Sequence, residues 1–286
     1  MDAILVYDQG VSWLLPVSCV ALLPVCVRIC IPRGTPAGLP AAVGLALVLG
    51  LPLSLSGASS GLRFFAACIA LIFAFKIWEY PGARVPDQAM LQGWRRFLIW
   101  FYVAPDTRWP RIQEEASRNR RAGTLRLLLG GVKVALLAGL VAVRGLAIWP
   151  HSWGPLETLW GLALVFLMLS ACVDVVAGLA MQSGVGVARV FNWPVLARSP
   201  RDLWSKRWNL YVHALAYRNV FLPLRGIHHP VRATVAIFVL SGLCHEYMIW
   251  VAHGGPGPYP GWVLAFFLCQ GLGVLADTAL QKFIRR

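Results

Sequence analysis

The sequence predicts an all-α integral membrane protein, a polytopic bundle of about seven transmembrane helices. Of its 286 residues, 58% are apolar or aromatic and only 13% are charged. A soluble globular domain carries about twice that charged fraction, so a soluble chain of this size could not cover its core with polar side chains. The same composition excludes a disordered chain and a disulfide-stapled secreted module.

Seven apolar stretches account for the spans, at ~20 residues for each crossing of the bilayer. They cover residues 11–31, 38–55, 62–78, 127–149, 159–181, 232–252 and 261–280. Turn-forming or interfacial residues separate them, such as Pro32–Pro36 after the first stretch and Trp78, Tyr80 and Pro81 after the third. We therefore expect a single integral-membrane domain over residues 1–286.

Two long loops carry most of the positive charge. Residues 81–126 hold nine Arg against four acidic residues, and residues 182–231 hold seven Arg or Lys against one Asp. With the N-terminus outside, 21 of the 26 basic residues fall in cytoplasmic segments, as the positive-inside rule requires. The net charge of +14 therefore indicates membrane topology and contact with anionic membrane lipids, and no nucleic-acid partner.

One stretch of the first loop has the pattern of an interfacial helix. Apolar residues repeat at helical spacing over Met90–Val103, around Arg95 and Arg96. This pattern predicts a helix that lies in the plane of the lipid headgroups.

The seven cysteines lie in or beside apolar runs, and none forms a C-x-x-C pair. In a membrane protein they are best interpreted as small apolar side chains. We expect no disulfide framework, no metal site and no resident cofactor.

Ionisable residues inside the spans are costly in lipid and are therefore candidates for function. They are Lys76, Glu79, Lys133, Asp174, His245, Glu246 and Asp277. The first three lie near predicted cytoplasmic boundaries, where snorkelling toward water explains them. The two aspartates lie deeper, where either pairing between helices or a functional site would explain them.

His245 lies near the middle of the sixth span. Taken alone, it fits either a core histidine bonded between helices or a catalytic base. The zinc-protease pattern H-E-x-x-H fails, because Ile249 occupies the second histidine position. Its neighbour Glu246 points about 100° away around the helix, so we expect Glu246 to serve helix packing.

A second feature is Arg201–Tyr217, which has the pattern of one amphipathic helix. Trp204, Trp208 and Tyr211 share one side of it, and Asn209 lies on the opposite side. An interfacial helix explains the aromatic side but explains less well an Asn beside a basic cluster.

Three motifs resemble those of one family. Residues 199–209, SPRDLWSKRWN, resemble the S-x-x-D-F-W-G-R-R-W-N box of plant-type wax synthases, a branch of the membrane-bound O-acyltransferases. Residues 220–225, VFLPLR, are similar to the V-Y-x-P-x-R stretch of that family, and residues 241–246, SGLCHE, resemble its S-G-L-M-H-E span. The order and spacing agree over residues 190–250. Leu203, Ser205 and Lys206 depart from the family pattern, and Ser205 replaces a glycine that can shape the local backbone.

The resemblance implies transfer of a fatty acyl group from acyl-CoA to the hydroxyl of a long-chain or other lipid alcohol, forming a wax-type ester. His245 would be a buried general base, kept neutral by burial. Asn209 would orient it or stabilise the oxyanion. The residues expected to contact substrate are Trp204, Lys206, Arg207, Trp208, Arg225 and Ser241.

Two other functions fit parts of the sequence. A small transporter or channel could use Asp174, His245 and Asp277 as an ion path, and it would give flux without an acylated product. A non-catalytic lipid-binding membrane protein could keep the same fold. Neither explains the box that ends in Trp208 and Asn209.

Overall fold

The computed structural model of the protein describes residues 18–33, 38–55, 57–82, 84–103, 105–145 and 154–284. Nearly all of the regular structure in these ranges is helical, which confirms the predicted all-α fold. The α-helices are α1 Ser18–Cys30, α2 Leu39–Gly50, α3 Ser60–Glu79, α4 Trp94–Tyr102, α5 Gln113–Gly145, α6 Gly154–Gln182, α7 Pro200–Lys206, α8 Leu210–Ala216, α9 Pro230–His253 and α10 Trp262–Ile284.

Short elements complete the described fold. There are 3₁₀ turns at Leu51–Ser54, Gln88–Leu91 and Pro194–Leu196, and a π-helix over Tyr217–Phe221. Two strands of two residues, β1 Thr107–Arg108 and β2 Gly186–Val187, pair antiparallel with Thr107 opposite Val187.

Five helices are long and apolar enough to cross a membrane. They correspond to the third through seventh predicted spans. The first two predicted spans coincide with shorter apolar helices, Ser18–Cys30 and Leu39–Ser54. The predicted start of the first span at residue 11 and the end of the fourth at residue 149 lie outside the described residues, so the count of seven stays a prediction.

The described residues form two compact units. The first comprises the described parts of Met1–Val85, Trp193–Arg207 and Val212–Arg286, and the second comprises those of Pro86–Asn192 and Trp208–Tyr211. The expected single domain over residues 1–286 stays a prediction.

In the first unit, α9 packs against both α3 and α10. Glycines allow the close approach of α9 and α10. A Cβ on Gly242 would lie 2.6 Å from a methyl group of Leu264, and one on Gly271 would lie 3.0 Å from the ring of Phe238. These contacts set which residues of α10 face His245.

The second unit is built on the antiparallel pair α5 and α6. Gly123 and Gly178 let the two helices touch, because a Cβ on either would lie 2.7 Å from a side-chain atom of the other helix. Lys133 Nζ and Asp174 Oδ2 form an ion pair across the helices at 2.5 Å. Lys133 thus forms an ion pair within the protein, whereas we expected it to snorkel toward water. Asp174 links α5 and α6 through the same ion pair.

Lys76 and Glu79, in the last turn of α3, are buried, so the snorkelling expected of them was wrong. Lys76 is 0% exposed and Glu79 is 1% exposed. Arg218 Nε and Asn219 Nδ2 each donate to Glu79 Oε1 at 3.0 Å. A carboxylate so deep persists because these donors replace the hydration that burial removes.

The helix expected in the headgroup plane buries one face in the protein, and its position relative to the headgroups stays a prediction. It covers Trp94–Tyr102 only, and Phe97, Trp100 and Phe101 are at most 1% exposed. Aromatic side chains bury large apolar areas, and this face is covered by protein.

The single amphipathic helix expected over Arg201–Tyr217 is also wrong. The chain forms α7, breaks over Arg207–Asn209, and resumes as α8. Asn209 has φ of 41°, in the left-handed region that interrupts a right-handed helix. The α7 residues belong to the first unit, whereas Trp208–Tyr211 belong to the second.

Candidate active site

The first half of the box builds the start of α7. Ser199 Oγ accepts the backbone N–H of Asp202 at 3.2 Å, and the Asp202 carboxylate accepts the N–H of Arg198 at 3.1 Å. The first bond is a side-chain N-cap, and the second attaches the residue before the cap to the first turn of α7. Arg207 Nε also donates to Asp202 at 2.6 Å, and this bond is the main reason why the pKa of Asp202 lies below its ordinary value.

The same serine attaches α7 to α10. Its hydroxyl donates to Asp277 Oδ2 at 2.5 Å, and the backbone N–H of Arg201 donates to the same oxygen at 3.3 Å. Arg201 Nη1 reaches Gln281 Oε1 at 3.2 Å. Asp277, a candidate intramembrane acid in the sequence, therefore acts as an anchor for α7.

Trp204 lies where α7 meets α9 and α10. Its rings lie 5.7 Å from the ring of Phe238 and 5.8 Å from that of Phe267, measured between centroids. Its indole N–H donates to Gln270 Oε1 at 3.1 Å. Trp204 is thus held in one orientation by two rings and one hydrogen bond.

His245 shares one of those rings. The centroid of its imidazole lies 4.4 Å from that of Phe267. Its Nδ1 lies 2.7 Å from the carbonyl oxygen of Ser241, one turn earlier in α9. A carbonyl can only accept a hydrogen bond, so Nδ1 carries the proton, and Nε2 of a neutral ring has its lone pair free to take another.

The expectation of a buried histidine needs correction. His245 is exposed in the structure. It nevertheless lies within a helix that is long enough to cross a membrane. Phe267, which is 6% exposed, covers part of the ring. The open part is accessible to a molecule that enters from outside the protein, as a substrate must.

Glu246 does not serve the imidazole of its neighbour. Its Oε1 accepts the backbone N–H groups of Val263 and Leu264, each at 3.0 Å. These donors belong to the first turn of α10, where helical N–H groups have no partner within the helix. Glu246 therefore caps α10, the helix that carries Phe267, and this confirms its expected packing role.

Among the predicted site residues, Trp204 and His245 both lie against Phe267, and the backbone carbonyl of Ser241 bonds to His245. Arg207 is held by Asp202 and by the carbonyl oxygen of Trp193. Lys206 is exposed, and Arg225 lines a separate cavity with Gly226 and His228.

Trp208 and Asn209 lie in the second unit. The ring of Trp208 packs against Phe166 and Phe191 with centroids 6.0 and 5.3 Å away. Asn is one of the few residues that adopt a left-handed conformation readily. The backbone conformation alone is therefore a structural reason for an asparagine at position 209. Its catalytic role stays a prediction.

Sequence reasoning missed Phe238, Phe267 and Gln270. The two phenylalanines are indistinguishable from ordinary apolar residues of a span. Gln270 had a usable signal, because it is an amide in an otherwise apolar helix, and polar residues at such positions mark sites.

Comparisons with known proteins agree with the motifs. Residues 187–269 match the model of the family described as "Membrane bound O-acyl transferase family". These residues contain α7, α8, α9 and the first third of α10, with Trp204, Phe267 and His245.

Relatives from Arabidopsis thaliana are similar over a somewhat longer stretch. The protein named probable long-chain-alcohol O-fatty-acyltransferase 1 is 32% identical over 35% of this chain and 31% of its own length. Number 8 of the same series is 33% identical over 43% and 37%. A protein named acyl-CoA–sterol O-acyltransferase 1 is 29% identical over 44% and 38%.

The matches thus cover between about a third and two fifths of these relatives' length. The family match over residues 187–269 contains the site built around His245 and the motifs on both sides of it. Over this segment the chain resembles the membrane-bound O-acyl transferase family and relatives named as long-chain-alcohol O-fatty-acyltransferases.

Proposed function

We propose that the protein transfers a fatty acyl group from acyl-CoA to the hydroxyl of a lipid alcohol, with His245 as the general base. The observation that carries the proposal is the hydrogen bond from His245 Nδ1 to the carbonyl oxygen of Ser241. It leaves Nε2 as the proton acceptor, in an exposed ring on a helix of membrane length. A lipid alcohol and an acyl chain are both soluble at that depth.

The reaction needs one proton acceptor that later becomes a donor. Nε2 would take the proton of the alcohol as its oxygen attacks the thioester carbonyl. The tetrahedral intermediate then collapses, the C–S bond breaks, and the thiolate of CoA receives the proton from the imidazolium. No proton is gained or lost overall, and His245 returns to its neutral form.

The supporting residues have separate roles in this proposal. Trp204 and Phe267 form the wall beside His245, where their rings suit an acyl or alkyl chain. Asn209 would orient the base or donate to the oxyanion, and loss of such a donor typically costs ~10²–10³ in rate. No resident metal or cofactor is needed, because acyl-CoA supplies an activated acyl group.

The phosphates of CoA would require basic side chains. Lys206 and Arg225 are both exposed, and we assign that contact to them. Arginine suits this role because its guanidinium forms paired hydrogen bonds to phosphate.

The acceptor is a lipid alcohol in this proposal, and a long-chain alcohol is the first choice. The names of the relatives include both long-chain alcohols and a sterol. Both acceptors carry one hydroxyl on a large apolar body, which fits a base at membrane depth.

The ion-path alternative is weaker because its acids have structural partners. Asp174 pairs with Lys133, and Asp277 accepts from Ser199 and Arg201. A path through the membrane would require these carboxylates to exchange protons or ions, which these bonds oppose.

The test uses membranes that contain the wild-type protein or its His245→Ala variant. Each receives labelled palmitoyl-CoA with a panel of long-chain alcohols and a sterol, and ester formation is followed by thin-layer chromatography. His253→Ala is the matched control, because it removes a histidine from the end of the same helix. We expect ester from the wild type and the control only.

Two results would contradict the proposal. Equal ester from His245→Ala would remove His245 as the base. No ester from folded wild-type protein, with short and long acyl donors, would favour transport or lipid binding.

A further inference from the structure

A basic cavity lies in the second unit, outside the segment that matches the family. It measures about 450 Å³ and is lined by Pro86, Asp87, Arg108, Trp109, Arg111 and Glu115. Both arginines are exposed. Among the described residues, neither guanidinium has a hydrogen bond or an ion pair.

The two carboxylates of the cavity fix its walls. Asp87 accepts the backbone N–H of Ala89 at 3.0 Å and that of Trp109 at 2.8 Å, one with each oxygen. Glu115 accepts the N–H of Arg111 at 2.9 Å. Both acids thus bind main-chain donors, and the arginine side chains beside them are not neutralised by a direct ion pair.

Two more arginines increase the positive charge around Trp109. The guanidinium carbon of Arg96 lies 4.2 Å from the centroid of a Trp109 ring, and that of Arg95 lies 6.0 Å away. These are cation–π contacts, which hold the arginines without cancelling their charge. The cavity lining and the two arginines beside Trp109 together contain four arginines and two carboxylates, so this group of residues has a net positive charge.

The backbone that carries Arg108 is also fixed. Thr107 and Arg108 form the short strand β1, which pairs with Gly186 and Val187. Trp109 follows directly and is tied to Asp87. A cavity with fixed walls, exposed guanidinium groups and net positive charge is suited to an anion with several acceptor oxygens.

We propose that this cavity binds a phosphate ester, with Arg108 and Arg111 as its ligands. Two molecules at a membrane surface carry that group: the headgroup of an anionic phospholipid, and acyl-CoA. Binding of a phospholipid is independent of the function proposed above, whereas binding of acyl-CoA rests on it.

The test compares an Arg108→Gln/Arg111→Gln variant with an Arg118→Gln/Arg121→Gln control in purified protein. Arg118 and Arg121 are exposed on the neighbouring helix α5 and do not line the cavity. Both variants remove two positive charges, so a nonspecific effect of charge changes both equally. Thermal unfolding verifies that each variant is folded.

Two probes separate the sources of phosphate. Native mass spectrometry measures the binding of phosphatidylglycerol against phosphatidylcholine, and calorimetry measures the binding of free CoA. We expect the cavity variant to lose about tenfold in affinity for one of these probes, the equivalent of one charge-assisted hydrogen bond. The control pair should keep wild-type affinity at the same salt concentration.

The pattern of loss identifies the ligand. Weaker phosphatidylglycerol binding with unchanged CoA binding assigns the cavity to lipid, and the reverse assigns it to acyl-CoA. The lipid result stands even if the protein makes no ester. Equal affinities in the cavity variant and the control, for both probes, would overturn the proposal.

Discussion

The imidazole of His245 lies against the phenyl ring of Phe267, with their centroids 4.4 Å apart. Phe267 belongs to α10, and Glu246 accepts two backbone N–H groups from the first turn of that helix. The residue beside the proposed base thus acts on it indirectly, by fixing the helix that supplies the neighbouring ring. A direct acid–base pair within the H-E sequence is not what the structure contains.

This arrangement predicts different effects for two substitutions of Glu246. Glu246→Gln keeps an oxygen that accepts both N–H groups, so we expect at least about half of the wild-type rate. Glu246→Ala leaves the helix end uncapped, which costs about 0.5–2 kcal/mol in typical helices, and we expect a clear loss of activity. Ester formation and thermal unfolding are measured on both variants.

The comparison decides what the carboxylate does. If Glu246→Gln were as inactive as Glu246→Ala while its unfolding temperature matched the wild type, the negative charge would be needed for chemistry. The capping interpretation would then be wrong.

Trp204 and Gln270 should be energetically coupled. Trp204→Phe keeps an aromatic ring but removes the indole N–H, and Gln270→Leu removes its acceptor. We expect each single change to weaken activity or stability by about 1 kcal/mol, the usual net value of a hydrogen bond.

A double-mutant cycle measures that coupling. We expect the double variant to lose less than the sum of the single losses, because both changes remove the same bond. Additive losses would mean that the bond contributes nothing.

The buried carboxylate of Glu79 should dominate the stability of its part of the first unit. Glu79→Ala removes the carboxylate that accepts from Arg218 and Asn219, and this carboxylate is almost fully buried. Breaking a buried ion pair in this way typically costs about 3–5 kcal/mol. Thermal unfolding in detergent measures the loss.

The matched variant for this test is Glu114→Ala, which removes an exposed carboxylate from the first turn of α5. It should unfold close to the wild-type temperature. Similar unfolding of the two variants would show that the buried network is not a major source of stability.

The lowered pKa of Asp202 predicts that the folded protein becomes less stable at acidic pH. The hydrogen bond from Arg207 lowers the pKa of its carboxyl in the folded protein. The folded state therefore releases this proton more readily than the unfolded state, and its contribution to stability is complete above the ordinary pKa of ~3.9. As the pH falls through that value toward the lowered folded pKa, the contribution is lost.

The variant Asp202→Asn tests this assignment. We expect it to be less stable than the wild type at neutral pH, and the difference to shrink below about pH 4. Unfolding temperatures of the wild type and the variant, measured from pH 7 to pH 3, give the stability difference at each pH. A difference that stayed constant over that range would show that Asp202 does not titrate in folding.

The pattern of apolar residues was sufficient to predict the five long helices, because a membrane span needs a long apolar run whatever its partners are. The same pattern was not sufficient to predict the partners of the charged residues at the ends of these helices. Snorkelling was expected of Glu79, but Arg218 is 139 positions away and no local pattern shows that the two meet. The break after Arg207 was missed because the amphipathic pattern continues through it.

The residues of the candidate site likewise include some that the sequence could predict and some that it could not. The motifs identified His245 and Trp204, but Phe267 and Gln270 come from a helix with no motif that the sequence analysis used. Their proximity follows from the packing of α10 at Gly242 and Gly271, which is a tertiary property.

The last prediction separates two reasons for an asparagine at position 209. Its φ of 41° is a conformation that Gly adopts without strain and that costs other L-residues about 1–2 kcal/mol. Asn209→Gly therefore keeps the backbone and removes the amide, whereas Asn209→Ala removes the amide and strains the backbone. If the amide acts on the base or the oxyanion, both variants should lose ~10²–10³ in rate. If Asn209 serves the backbone alone, Asn209→Gly should stay near wild-type activity and only Asn209→Ala should lose stability. Rates of ester formation and unfolding temperatures, measured on both variants, distinguish the two roles.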